Sequence, residues 1–196
     1  MYGVDFLSTG AIGALGVYPG EYRVYDKTGT RINTIHSNKL GENPLQVKHD
    51  EYDNLFVATR DNTLAVSQLN QDGTFMRKFG ENKAYTTLSV LPDGVLWASL
   101  PDGNVDVFDR YSGRLISVFS TLPAQDNILA MYFDHVSGTV LTTSSIGVVA
   151  ERSATNGSVI LKFNPHNYVK SGLSCHGVTR GPNGDVIVSV TTDARS

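Results

Sequence analysis

The chain has 196 residues, 40% of them apolar, and a formal net charge of −3 at pH 7. Such a chain can bury a core and belongs with globular proteins, and its weak negative charge argues against a surface built for phosphate backbones or anionic lipid. One cysteine, Cys175, excludes an internal disulfide and a cysteine-rich zinc site. We expect a soluble protein, because no apolar run approaches the roughly 18 residues of a membrane helix and the N-terminus lacks a cationic signal-peptide segment.

Short strand-forming runs follow one another along the whole chain, and no window combines a helical period with capping residues. Residues 1–20 are expected to form strand and turn. The later runs, in chain order, are YRVYD (22–26), RINTI (31–35), LQVKHD (45–50), LFVAT (55–59), TLAVSQL (63–69), FMRKF (75–79), TLSVL (87–91), VLWAS (95–99), VDVFD (105–109), RLISVF (114–119), LAMYFD (129–134), TVLTT (139–143), VVAERS (148–153), VILKF (159–163), GVTRG (177–181) and DVIVSV (185–190).

The turn residues between these runs recur at matching intervals. Intervals of 44, 40, 44 and 46 residues separate one set, and intervals of 44, 40 and 44 separate a second set. A tight link between antiparallel strands needs a residue that tolerates positive φ, as Gly and Asn do. A period in the forties is typical of a propeller. The first set is Gly10, Asn54, Gly94, Gly138 and Gly184, and the second is Gly29, Gly73, Gly113 and Gly157.

The pattern predicts an all-β fold, a β-propeller of four-stranded antiparallel blades with about four and a half repeats. We expect residues 1–196 to form a single propeller-like repeat domain with units at about 1–44, 45–86, 87–128 and 129–173 and a partial unit at 174–196. About four and a half blades predict either an incomplete ring or a ring that a partner completes. A partner is expected because an unpaired edge strand invites association. A sandwich or a stacked β-solenoid could use the same hairpins.

The second unit resembles a known repeat. The stretch YDNLFVATRDNTLAVSQLNQDGTFMRKFG (52–80) is similar to an NHL repeat, and HGVTRGPNGDVIVSVTTD (176–193) resembles its opening half. The stretch 91–119 is similar to either an NHL or a WD-type blade. The resemblance implies a blade rather than an activity. Families with such blades include protein- and RNA-binding platforms, receptor sensor domains, and metal-dependent lyases and lactonases.

His176 is the candidate zinc ligand in the sequence. The resemblance places it at the start of a blade, where the peptide-amidating lyase family has a zinc-binding histidine. A zinc site needs three or four converging ligands, and the equivalent starts at 44–45, 86–87 and 127–128 offer no second histidine. Asp126 and Asn127 are alternative oxygen ligands for a lactonase-like calcium site. We therefore assign no catalytic residue, no metal site and no cofactor, and interpret His176 as a structural histidine.

Two groups of charged residues have both a functional and a structural interpretation. The cluster of His49, Asp50, Glu51 and Asp53 could hold calcium, but we interpret it as a solvated hairpin. A series of basic residues beside the second set of turns predicts a rim that could contact RNA, although Asp26, Asp72 and Asp109 neutralise it locally, so we interpret it as a solvated rim. The basic series is Arg23, Lys27, Arg31, Arg77, Lys78, Arg110 and Arg114.

The sequence favours a non-catalytic protein-interaction or assembly module, with a protein partner or other subunits of an assembly and no membrane span. The alternative is a metal-dependent propeller enzyme of lyase or lactonase type with a site near His176. A further alternative is RNA binding on the rim.

Overall fold

A computed structural model describes residues 3–16, 20–41, 43–59, 65–120, 127–164 and 173–192, and more than half of these residues lie in β-strands. Asp126 lies outside them. The strands are β1 (Gly3–Phe6), β2 (Ile12–Leu15), β3 (Tyr22–Tyr25), β4 (Arg31–Ile35), β5 (Pro44–His49), β6 (Leu55–Thr59), β7 (Val66–Leu69), β8 (Phe75–Phe79), β9 (Thr87–Leu91), β10 (Val95–Ser99), β11 (Asn104–Asp109), β12 (Leu115–Ser120), β13 (Ile128–Asp134), β14 (Thr139–Ser144), β15 (Val149–Ser153), β16 (Val159–Phe163), β17 (Leu173–Arg180) and β18 (Val186–Thr192).

Within the described residues, the strands form four four-stranded sheets and one two-stranded sheet. Sheet 1 contains β1–β4, sheet 2 contains β5–β8, sheet 3 contains β9–β12, sheet 4 contains β13–β16 and sheet 5 contains β17–β18. In each sheet the strands lie in chain order, so that each pairs with its neighbour in sequence. The predicted antiparallel, four-stranded repeat is confirmed.

The chain divides into two compact units, and the division runs through sheet 3. The first unit comprises Met1–Ala98 and Asp106–Ser117, and the second comprises Ser99–Val105 and Val118–Ser196. A core of the first unit includes Leu15, Tyr22 and Val57, and the second unit buries Leu141, Val149 and Cys175. In the first unit β1 contacts β5 and β5 contacts β9, and in the second β13 contacts β17. Within each unit, therefore, the first strands of consecutive sheets are neighbours.

One short helical turn was not predicted from the sequence. Residues Ser37–Leu40 form a single α-helical turn, α1, after sheet 1. It is too short to show a helical period, which explains why the pattern did not reveal it. Between β9 and β10 the predicted turn at Gly94 is present, with φ values of 61° at Asp93 and 77° at Gly94. Strand β17 also begins earlier than the predicted run at 177–181, and its pairing with β18 contains a bulge between Cys175 and Gly177.

The second set of turn glycines has the expected positive φ, between 73° and 82°. Three of them also receive a side chain from the preceding sheet. A β-carbon on Gly157 would overlap the ring of Phe119, and one on Gly73 would crowd Ile35. A β-carbon on Gly113 would make only ordinary contacts, with the Arg77 side chain and the Lys78 backbone oxygen. A β-carbon on Gly29, the equivalent residue of sheet 1, would have no atom within 4 Å.

In sheet 2, the residue with positive φ at the first turn is Asp53 (φ 60°), and the proposed role of Asn54 is therefore wrong. Asp tolerates this conformation better than most residues. Its carboxylate also accepts hydrogen bonds from the backbone N–H and the hydroxyl of Ser8, both at 2.7 Å. Asp53 therefore ties the first turn of sheet 2 to the first turn of sheet 1.

Candidate functional site

A buried relay of three polar side chains joins sheets 1 and 2. His49, at the end of β5, has a side chain that is 3% exposed. Its Nδ1–H donates to Asp5 Oδ2 at 3.2 Å, and its Nε2 accepts the hydroxyl proton of Tyr22 at 2.7 Å. The backbone N–H of His49 donates to the same Asp5 oxygen at 3.1 Å.

The relay has the order carboxylate, imidazole and hydroxyl of a nucleophilic triad, but its environment favours a structural role. Burial, together with the charges of Asp5 and Asp53, raises the pKa of the Tyr22 phenol well above its ordinary value of 10.0. Burial alone would raise the pKa of Asp5, but the hydrogen bond from His49 and the charge of Lys48 outweigh it, and the net pKa is lowered. The hydroxyl thus stays protonated and sealed inside the first unit.

A second buried contact within the first unit centres on Arg110, which follows β11. Its guanidinium donates to both carboxylate oxygens of Glu51, at 2.9 and 2.8 Å, and lies 3.3 Å from Asp50 Oδ2. It also lies 6.0 Å from the ring centroid of Phe56. Such a two-pronged contact suits the planar guanidinium. The Arg110 hydrogen bonds lower the pKa of Glu51, although burial opposes them.

The same kind of contact recurs in the second unit between sheets 5 and 4. Arg180, at the end of β17, lies 2.6 Å from Asp134 Oδ2 and 2.9 Å from Glu151 Oε1. By strand register, Arg180 pairs with Val186 as His49 pairs with Leu55, so His49 and Arg180 occupy equivalent positions. At this position, both side chains reach back to polar groups of the preceding sheet.

These contacts correct two predictions from the sequence. The interpretation of the 49–53 cluster as a solvated hairpin is wrong for Asp50 and Asp53, which are buried, and for His49, whose side chain is 3% exposed. The interpretation as a solvated rim is wrong for Arg110, which is 1% exposed. Both errors have one cause, since each group finds its counter-charge or hydrogen-bond donor in a neighbouring sheet. Lys27, Arg31 and Arg114 are exposed, as expected of a rim.

A third buried polar contact lies between Asp106 of β11 and the loop before β9. Asp106 is buried and accepts hydrogen bonds from the Tyr85 hydroxyl at 2.5 Å and from Lys83 Nζ at 2.6 Å. Burial and the Asp106 carboxylate raise the pKa of Tyr85 well above its ordinary value. This pair therefore also holds its proton, and it fixes the loop that leads into sheet 3.

His176 lies on the exposed side of β17, in the bulge, while the adjacent Cys175 is fully buried. Burial raises the pKa of the Cys175 thiol, which disfavours a thiolate. Among the described residues, no three His, Cys, Asp or Glu side chains are grouped as metal ligands.

A cleft of about 390 Å³ opens in the first unit between α1 and sheet 2. Its lining includes Asn38, Lys39, Ser67, Thr74 and Phe75. Lys39 Nζ is engaged with the backbone carbonyl of Asp72 at 3.0 Å. The volume suits a small ligand, but the lining offers amides, hydroxyls and one engaged amine rather than groups for acid–base chemistry.

One face of sheet 2 lies toward sheet 1, and we call the corresponding face of any sheet its leading face. The leading face of sheet 1 is open. It carries Val4, Phe6 and Ile12, all exposed. Phe6 is 70% exposed, whereas the side chain of His49 at the equivalent position is 3% exposed. Gly29, which has open space where its equivalents receive a neighbour, belongs to the same sheet.

The other face of sheet 2 lies toward sheet 3, and we call the corresponding face of any sheet its trailing face. The trailing face of sheet 5 is open. It carries Thr179, Ile187 and Ser189. Ile187 is 54% exposed, whereas Phe56 and Val140, at the equivalent position next to the start of the second strand, are fully buried. Each open face therefore exposes an apolar residue at a position that is buried elsewhere in the chain.

Comparison with solved structures agrees with this geometry. The crystal structure of the WD40 β-propeller domain of Doa1 matches with a TM-score of 0.74 and 17% sequence identity. The fold is that of a β-propeller. The match covers 97% of this chain and 60% of the Doa1 chain, so this propeller chain spans about three-fifths of that structure. No family model matches the sequence, and no curated protein matches it.

In propeller terms, sheets 1–4 are four-stranded blades, and the polar relays are contacts between blades. Sequence reasoning identified the blades but missed Tyr22, Arg110 and Arg180 as the residues that join them. The sequence signal that could have found Arg180 is its position, since it ends an opening strand as His49 does. Among the described residues, no helix is long and apolar enough to cross a membrane.

Proposed function

We propose that this propeller is a non-catalytic protein-interaction or assembly module that binds through its leading and trailing faces. One observation carries the proposal: Phe6 and Ile187 are exposed at positions where the equivalent side chains are buried against a neighbouring blade. Apolar area returns free energy when it leaves water, at about 25 cal/mol per Å². Exposed apolar patches on a folded domain commonly mark binding surfaces.

The disposition of the ionisable residues supports the same proposal. His49, Arg110, Arg180 and Asp106 are each occupied by a contact within their own unit. The two buried tyrosines have raised pKa values and hold their protons at neutral pH. These groups stabilise the propeller through contacts within its units.

We further propose that the blades are of NHL type. The run from Leu55 to Gly80 supports this, since it combines an apolar strand, a polar turn, a second strand, Asp72-Gly73 and a closing Arg-Lys-Phe-Gly. Three of these parts have the expected structure, namely β6, β7 and β8.

The experiment that tests the proposed function is a comparison of four tagged proteins purified from cells that express the chain natively. These are the wild type, Phe6→Asp, Ile187→Asp and the control Val136→Asp, which alters a 94% exposed turn residue of sheet 4, a sheet that carries neither of these faces. We expect quantitative mass spectrometry to find proteins, including further copies of the chain, that the wild type and the control retain and a face variant loses. Identical retained sets for all four proteins would contradict the proposal.

A further inference from the structure

We propose that the leading face of one copy of this chain binds the trailing face of a second copy, so that the chains associate head to tail. This inference rests on the proposed function and names its partner. The two faces are the two halves of one type of junction, which the chain already contains between its own blades.

The junctions within the units show how the halves fit. Between blades 1 and 2, the leading position of blade 2 is filled by His49, which contacts Asp5 and Tyr22. Between blades 2 and 3, Arg110 lies over Phe56 on the trailing face of blade 2. A leading side chain thus meets polar trailing groups at the first junction, and a cation covers an apolar trailing ring at the second.

The described strands of sheet 5 already form one side of such a junction. Val140 of β14 is fully buried, and β14 is in contact with β17 of sheet 5. The same two strands, β17 and β18, also carry the trailing face of sheet 5.

The chemistry of Phe6 fits the trailing face of sheet 5. His49 and Arg180, at the position equivalent to Phe6, each contact a polar side chain on the third strand of the preceding blade, namely Tyr22 on β3 and Glu151 on β15. Phe6 can form no such hydrogen bond or ion pair. The trailing face of sheet 5 presents Ile187 beside Thr179, and an apolar ring packs well on that pair.

The contact is heterologous, because different surfaces meet. A heterologous contact leaves one leading and one trailing face free in every open assembly, so it adds copies until a ring closes or a filament grows. This property separates it from a two-fold symmetric dimer, in which one surface meets itself.

The purified full chain tests the inference by light scattering after size exclusion over a hundredfold range of concentration. We expect the wild type and Val136→Asp to exceed the monomer mass at high concentration. Phe6→Asp and Ile187→Asp should each remain monomeric, and thermal unfolding should show that both are folded, since both residues are exposed. An equimolar mixture of the two variants should form a complex of two chains, because one retains an intact trailing face and the other an intact leading face.

Each outcome decides between the two proposals. A wild type that stays monomeric at every concentration overturns the head-to-tail inference, and so does a mixture of the two variants that forms no complex while the wild type associates. If the wild type is monomeric but retains a different protein from cells in a manner that Phe6→Asp abolishes, the proposed function stands with another partner. If it is monomeric and retains nothing, both proposals fail.

Discussion

The hydroxyl of Tyr22 occupies the space that a side chain on residue 13 would need. A β-carbon built on Gly13 overlaps the hydroxyl and the ring of Tyr22. The two residues lie on neighbouring strands, β2 and β3. Gly13 is therefore the residue that admits Tyr22 to its hydrogen bond with His49.

We predict that Gly13→Ala lowers the free energy of unfolding by about 2 to 4 kcal/mol, because Tyr22 must move and its polar partner is left buried. Chemical denaturation measures the change. The control is Gly3→Ala in the same sheet, where an added β-carbon has no atom within 4 Å. Equal effects of the two substitutions would show that the close approach of Gly13 to Tyr22 is unimportant.

Arg110→Met should lower the free energy of unfolding by about 2 to 3 kcal/mol. This loss is smaller than the usual range of about 3 to 5 kcal/mol for a broken buried ion pair. Asp50 keeps three hydrogen bonds from its own turn, donated by the backbone N–H groups of Tyr52 and Asn54 and by the Asn54 side chain. Arg114→Met, on an exposed arginine four residues later, is the matched control and should change stability little.

Addition of Asp50→Asn to Arg110→Met should recover part of the lost free energy of unfolding. The second substitution removes the Asp50 carboxylate, which Arg110→Met leaves without its counter-ion. If the double variant loses as much free energy of unfolding as the two single variants together, Arg110 acts through packing on Phe56 rather than through charge.

Stability should fall in acid partly through Asp5. Its pKa is lowered below 3.8 in the folded protein because the His49 hydrogen bond and the Lys48 charge outweigh burial. A carboxyl with a lowered pKa stabilises the fold above its unfolded pKa, and this contribution is lost as pH falls through the folded value. Asp5→Asn should therefore be less stable than the wild type at neutral pH, and the difference should narrow below pH 3.8.

Denaturation at several pH values tests this, with Asp185→Asn on an exposed turn as the control for the removal of one carboxylate. A difference between Asp5→Asn and the wild type that is constant from neutral pH to acid would contradict the role of Asp5.

His176→Ala should leave the melting temperature and the metal content of the purified protein unchanged. His176 is exposed in a bulge, and no described group of side chains converges there as metal ligands. Elemental analysis of both proteins tests the expectation. Stoichiometric zinc or calcium that is lost in His176→Ala would instead support the metal-dependent alternative.

Much of the fold could be predicted because its determinants are local. The run FMRKF matches β8 residue for residue, since alternation and turn residues act over a few positions. Contacts between blades could not be predicted in this way. Arg110 and Glu51 are 59 residues apart in sequence, and neither has a local pattern that names the other. The exposure of Phe6 likewise depends on contacts between sheets, which no local sequence pattern gives.

The hairpin glycines allow backbone strain to be separated from close packing. Gly29 and Gly157 have similar positive φ, 82° and 73°, but only Gly157 has a ring, that of Phe119, where a β-carbon would lie. Gly29→Ala should cost about 1 to 2 kcal/mol from the left-handed conformation alone. Gly157→Ala should cost at least about 1 kcal/mol more, because Phe119 must also shift from its place beside Arg152. Denaturation of both variants measures the difference, and equal losses would mean that the approach of Phe119 adds nothing to the requirement for glycine.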